Sequence, residues 1–133
     1  MSLIEWNKSI EVGNPEIDAE HKIFVSIIQR IEAEISTNGN KEYIINLVKE
    51  LLKYVEFHFC SEENMMIREE YPDYLWHKKI HSRLIVELKD RIYILKYEYI
   101  DFQVLLKFLI TWFKQHTSKE DLNFAKFLNS RGL

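Results

Sequence analysis

The chain has 133 residues, of which 47% are hydrophobic and 29% charged, with a formal net charge of −3; this composition excludes a disordered chain and suits one domain with its own core. Acids and bases are mixed along the chain and apolar runs are only a few residues long, which argues against nucleic-acid binding, a polybasic membrane-surface contact and membrane insertion. The start, Met1-Ser2-Leu3-Ile4-Glu5-Trp6, lacks the regions of a signal peptide, and the single Cys60 forms no intrachain disulfide, so a reducing cytoplasm is the expected location.

Glycine and proline number only five and fall at punctuation points. Residues 1–13 read as an extended arm, pinned by Trp6. Gly13-Asn14-Pro15 precedes the first helix, with Asn14 or Asp18 as its cap and Glu16, Asp18 and Glu20 in its first turn. Asn38-Gly39-Asn40 ends it. A second helix is expected from about Lys41 to about Glu70, before Pro72. A third runs from about Asp73 to about Tyr97. Asp101 caps a fourth that reaches His116 to Lys119, and a short C-terminal helix covers Leu122 to Leu128.

The apolar positions step by three or four residues, the seam of bundle helices. The first seam is Ile17, His21, Phe24, Ile28, Ile31, Ile35; the second is Ile44, Val48, Leu51, Val55, His58, Glu62, Met65. The third is Tyr74, His77, His81, Leu84, Leu88, and the fourth is Phe102, Leu105, Leu109, Trp112, His116. The expected fold is therefore all-α: one domain spanning 1–133, an antiparallel up-down-up-down four-helix bundle with an N-terminal extended arm and a short C-terminal helix. In that topology the starts of odd helices lie level with the ends of even ones, so all five histidines and Glu62 fall at one end of the core.

A lone histidine on an apolar seam is usually a hydrogen-bonded core residue, and an isolated HxxxH pair such as His77 and His81 is weakly specific. Here all five histidines and a glutamate share one level of one core. Without a metal they would leave mutually unsatisfied polar groups in a dry bundle. Asp121 follows His116 by five residues, about 140° away on a regular helix, so it joins the cluster only if the helix breaks or loosens by a π-type turn, which Ser118 would ease. Seven ligands exceed one tetrahedral zinc. Two six-coordinate metals accommodate five histidines, bridging Glu62 and Asp121 and a bridging oxo or hydroxo group, with one position left. If His77, His81 and His116 fill one metal, the vacancy lies on the metal held by His21 and His58.

The series His21, His58-Phe59-Cys60-Ser61-Glu62, His77-Lys78-Lys79-Ile80-His81 and His116-Thr117-Ser118-Lys119-Glu120-Asp121 resembles the hemerythrin family, single-domain bacteriohemerythrins above all. Trp6, Asp18-Ala19-Glu20, Glu63-Asn64-Met65 and Tyr71-Pro72 support the likeness over nearly the whole chain. The resemblance implies two Fe ions in a non-haem di-iron centre, bridged by Glu62, Asp121 and an oxo or hydroxo group, that binds O2 reversibly. It also supports the role of Asp121. Phe24, Phe59, Trp112, Phe113 and Thr117 stand where they could line the O2 pocket. Thr117 replaces an expected aliphatic residue; its hydroxyl should admit water or hydrogen-bond bound oxygen and give faster autoxidation than a Thr117→Ile variant. Cys60, two residues from both His58 and Glu62, faces away from both and reads as a packing residue.

The leading functional expectation is oxygen storage, delivery or local supply, not enzymatic turnover, because no acid or base stands beyond the ligands. The alternatives are an O2 or redox sensor acting in trans and a di-iron oxidase, peroxidase or NO-scavenging enzyme; iron storage would need a shell that one small bundle does not supply.

Overall fold

The computed structural model describes residues 3–97 and 101–132. Its helices are α1 (Pro15–Ser36), α2 (Lys41–Arg68), α3 (Tyr74–Tyr97), α4 (Phe102–His116) and α5 (Leu122–Ser130), with a π-helical turn, Thr117–Asp121, between the last two. There is no strand among the described residues. α1 packs against α2 and α4, and α2 against α3, the neighbour pattern of an up-down-up-down bundle.

Local chemistry explains the boundaries. The Asn14 side chain accepts from the Ile17 amide at 3.0 Å and caps α1. Asp18 instead reaches back and accepts from the amides of Val12 (2.9 Å) and Gly13 (3.2 Å), tying the arm to the helix. Asn40 caps α2 through the Tyr43 amide, and Asp101 caps α4 through the Gln103 amide. α1 and α2 both end in a left-handed residue, Asn38 (φ 53°) and Glu70 (φ 54°). At each, the next amide returns five residues, Gly39 to the Glu34 carbonyl and Tyr71 to that of Met66, which is the Schellman arrangement. A β-carbon at position 39 would lie 2.8 Å from the Glu34 carbonyl oxygen, so the close return requires glycine. This motif stops α2 at Arg68, two residues short of the end expected from Pro72. α3 begins at Tyr74 rather than Asp73, whose carbonyl accepts its first helical bond from His77.

The expected seams of α1 and α2 are buried throughout. On α3, Tyr74 and Leu84 are only half-buried, as is Phe102 on α4. The apolar core falls into two clusters. The larger fills the bundle from Phe24, Phe59 and Trp112 upward. The smaller joins Val12, Ile17, Met65 and Met66 to Phe124, Ala125 and Leu128 of α5. The histidines and carboxylates form the layer between them, and α5 closes the end of the bundle beneath that layer. The arm is anchored chiefly by Ile4, Ile10 and Val12, all buried. Trp6 is half-buried against the larger cluster with the Lys22 ammonium over its ring, so it shares the anchoring assigned to it alone from the sequence.

Candidate metal centre

α1 supplies His21, α2 supplies His58 and Glu62, α3 supplies His77 and His81, α4 ends on His116, and the π-helical turn ends on Asp121. The turn solves the spacing problem of HxxxxD, because its i→i+5 hydrogen bonds return residue five to the face of residue zero. His116 Nε2 consequently lies 3.0 Å from Asp121 Oδ1. All seven residues are at least nine-tenths buried.

Every histidine turns Nε2 inward, and each carboxylate splits its two oxygens between two groups. Glu62 Oε1 lies 2.8 Å from His77 Nε2 and 3.1 Å from His81 Nε2, while Oε2 faces His58 Nε2 at 3.6 Å. Asp121 Oδ1 lies 3.2 Å from His77 Nε2 and 3.0 Å from that of His116, while Oδ2 is 2.9 Å from His21 Nε2. Two cation-sized nests result: His77, His81 and His116 with both carboxylates, and His21 and His58 with the same two carboxylates.

Hydrogen bonding does not account for this arrangement. Both Glu62 oxygens, Asp121 Oδ2 and the Nε2 atoms of His81 and His116 are buried without an aligned hydrogen-bond partner, although neighbouring polar atoms are close. Their lone pairs converge on shared points instead of on one another. Cis ligands of an octahedral ion with bonds near 2.1 Å are about 3.0 Å apart, whereas tetrahedral edges at zinc are about 3.4 Å. The three-histidine nest, at 2.8–3.2 Å, matches the octahedral edge.

Protonation shows the same tension. Burial and the Asp121 charge push the Glu62 carboxyl well above the usual range. Burial acts on Asp121 in the same direction, but His116, His21 and His77 overcome it and hold that carboxyl well below its ordinary value. Burial, then His77 and His116, drive His81 down to about 2. His77 is raised to about 10 because Asp121 and Glu62 outweigh its burial. Two buried acids are thus balanced by unevenly shared protons, a task that cations perform without stranding any group.

Two residues missed in the sequence hold the histidines from behind. Glu20 Oε1 bonds His58 Nδ1 at 2.8 Å, and its other oxygen accepts from Ser61 at 3.0 Å. Glu63 Oε2 bonds His81 Nδ1 at 2.8 Å. Each pair fixes the ring and leaves Nε2 facing inward. The available signal was adjacency: Glu20 precedes His21, and Glu63 follows Glu62. Phe59 adds support by stacking flat on His81, with ring centres 3.7 Å apart. Cys60 is free and exposed, so it is neither in the cluster nor the packing residue expected.

Phe24, Phe59, Trp112, Phe113 and Thr117 line one small enclosed pocket together with His21, His58, His116 and Asp121. The pocket is too tight for water. Two of its lining residues also carry a buried polar atom with no hydrogen-bond partner among the described residues, Trp112 Nε1 and Thr117 Oγ1.

A four-helix bundle with a buried histidine–carboxylate layer at one end defines a helical cation-binding protein. Residues 12–128 match the family model described as the hemerythrin HHE cation binding domain, and the chain belongs to the hemerythrin family. It is similar to a bacteriohemerythrin of Clostridium acetobutylicum, 28% identical over 90% of this chain and 96% of that protein. A bacteriohemerythrin of Campylobacter jejuni is 28% identical over 93% and 94%, and a myohemerythrin of Theromyzon tessulatum is 33% identical over 64% and 65%. The crystal structure of a leucine-to-phenylalanine mutant protein superposes with a TM-score of 0.86 at 26% identity, covering 95% of this chain and 97% of its own.

Proposed function

We propose that this chain, as one domain over 1–133, holds two iron ions and binds O2 reversibly, serving storage, delivery or local supply of oxygen in the cytoplasm. The observation that carries the reading is the split of each carboxylate between a three-histidine and a two-histidine nest. Glu62 and Asp121 would be shared by both irons, with His77, His81 and His116 holding one and His21 and His58 holding the other, where a ligand would bind. When bound, the iron pair supplies reversible electron exchange with O2. The polypeptide supplies the rest. Glu20 and Glu63 orient His58 and His81. Phe24, Phe59 and Phe113 keep water from the ligand side, which disfavours the protonation that ends reversible binding. No helix of the described residues is long and apolar enough to cross a membrane, and the membrane carries no part of this reading.

The test is metal analysis followed by cycling between reduced, air-exposed and re-evacuated protein. About two irons per chain and an absorption change that reverses are expected. One zinc per chain, or an irreversible change, would overturn the assignment. Continuous O2 consumption with a reductant would replace carriage by oxidase chemistry.

A further inference from the structure

The ligand pocket is apolar apart from the cluster itself and two groups. Trp112 is 6% exposed and Thr117 2%, and both reach the pocket wall. Trp112 Nε1 and Thr117 Oγ1 are without solvent contact and without a hydrogen-bond partner among the described residues. Valine would fill nearly the same volume as Thr117, and phenylalanine would keep an apolar ring at position 112, neither stranding a donor. Trp112 also borders an open groove between α3 and α4 with Leu84 and Phe108, yet its N–H has no exposure on that side. Thr117 likewise borders a surface recess beside Ile10 and Lys114, and its hydroxyl is closed off from it. Both residues thus line the same pocket as His21 and His58, and both of their donors are closed off from solvent. Each of the two is a donor that no acceptor among the described residues satisfies, and the His21–His58 nest where a ligand would sit lines the same pocket.

We propose that the indole N–H of Trp112 and the hydroxyl of Thr117 form a two-donor clamp for the outer atom of a small ligand bound on the His21–His58 side, selecting ligands whose outer atom carries acceptor charge over uncharged diatomics. The inference rests on the di-iron reading above. It makes the pocket selective by hydrogen bonding as well as by size, through residues that are not themselves metal ligands. A charge-bearing acceptor gains more from each donor than a neutral one does.

Azide is a suitable probe, being a small anion with an acceptor at its outer end. Oxidised, iron-loaded protein is titrated with azide, and the antisymmetric stretch of the bound anion is recorded in H2O and D2O. Wild type should show an isotope shift of that band. Thr117→Val and Trp112→Phe should each weaken azide roughly tenfold and reduce the isotope shift; Thr117→Ser, which keeps the hydroxyl, should restore both. Equal affinities and an isotope-insensitive stretch in wild-type protein holding two irons per chain would overturn the clamp while leaving the di-iron reading intact. Absence of iron from wild type would overturn that reading instead. If Thr117→Val or Trp112→Phe fails to hold iron, the wild-type isotope shift and the Thr117→Ser affinity still decide the outcome.

Discussion

At the scale of single residues, the centre is defined by what stands behind the seven inward-facing side chains. His58 and His81 donate from Nδ1 to Glu20 and Glu63 at 2.8 Å, whereas Nδ1 of His21 and of His116 has no partner among the described residues. Each nest thus contains one histidine fixed by a carboxylate. Replacing Glu20 or Glu63 by alanine is expected to lower iron affinity roughly 10- to 100-fold, measured by competition with a chelator, with glutamine giving the smaller loss because its carbonyl still accepts. Unchanged affinity in both alanine variants would show that helix packing alone sets the rings. The seven cluster residues were legible in the sequence because each lies on a seam or, for Asp121, in a motif. Glu20 and Glu63 were not, since a 3-4 pattern reports which face a residue occupies and not which side chain of a neighbouring helix it meets. Thr117 was visible as an odd residue beside His116; it lines the pocket and its hydroxyl is buried. The Thr117→Ile variant should accordingly autoxidise more slowly than wild type in a stopped air-exposure assay; an unchanged rate would remove the hydroxyl from that process.

At the scale of elements, the π-helical turn carries the most information. It lets His116 and Asp121 share a face across five residues, and it delivers Phe124, Ala125 and Leu128 of α5 to the lower apolar cluster. Helix registers therefore predict opposite outcomes for two one-residue changes at exposed positions. Deleting Lys119 converts the pair to an i,i+4 spacing, like that of His58 and Glu62, and keeps Asp121 and α5 near their present faces. Inserting one alanine after Ser118 rotates everything beyond it by about 100°. The deletion should retain iron with reduced affinity, whereas the insertion should lose iron and unfold at markedly lower temperature, as metal analysis and thermal melts would show. Equal behaviour of the two variants would mean that the turn is not what aligns the site. The need for this turn was readable from the HxxxxD spacing. The helix ends at Asn38 and Glu70 were less so: Asn38 is a known left-handed C-cap type, but nothing in a glutamate announces φ of 54°. The exact stop of α2 follows from the return of the Tyr71 amide to Met66, a backbone bond that the side-chain pattern does not report.

At the scale of the whole molecule, a charged layer lies between two apolar clusters, and metal-free protein must balance that layer with protons. His58, lowered by burial, and His81, driven down to about 2, sit below the unfolded histidine value of about 6.5. Both take up protons on unfolding, so their contribution is full above pH 6.5 and is lost as pH falls from there. His77, raised to about 10, acts oppositely: its contribution is complete below about 6.5 and is lost as pH rises through 10. Glu62, raised well above its ordinary value, gains stability as pH falls toward the unfolded carboxyl value of about 4.3 and offsets one of the two depressed histidines. Below about pH 6.5 the two depressed histidines make the unfolded chain bind more protons than the folded one, Glu62 offsets part of that difference, and stability should fall as pH falls. Denaturant melts of chelator-treated protein across that window would show the slope. Glu62→Gln removes the offset and should steepen the slope, whereas iron, by occupying the Nε2 atoms, should flatten it until the metal is released. A metal-free protein with no pH dependence in this window would mean that the layer does not carry the uneven protonation that its geometry imposes.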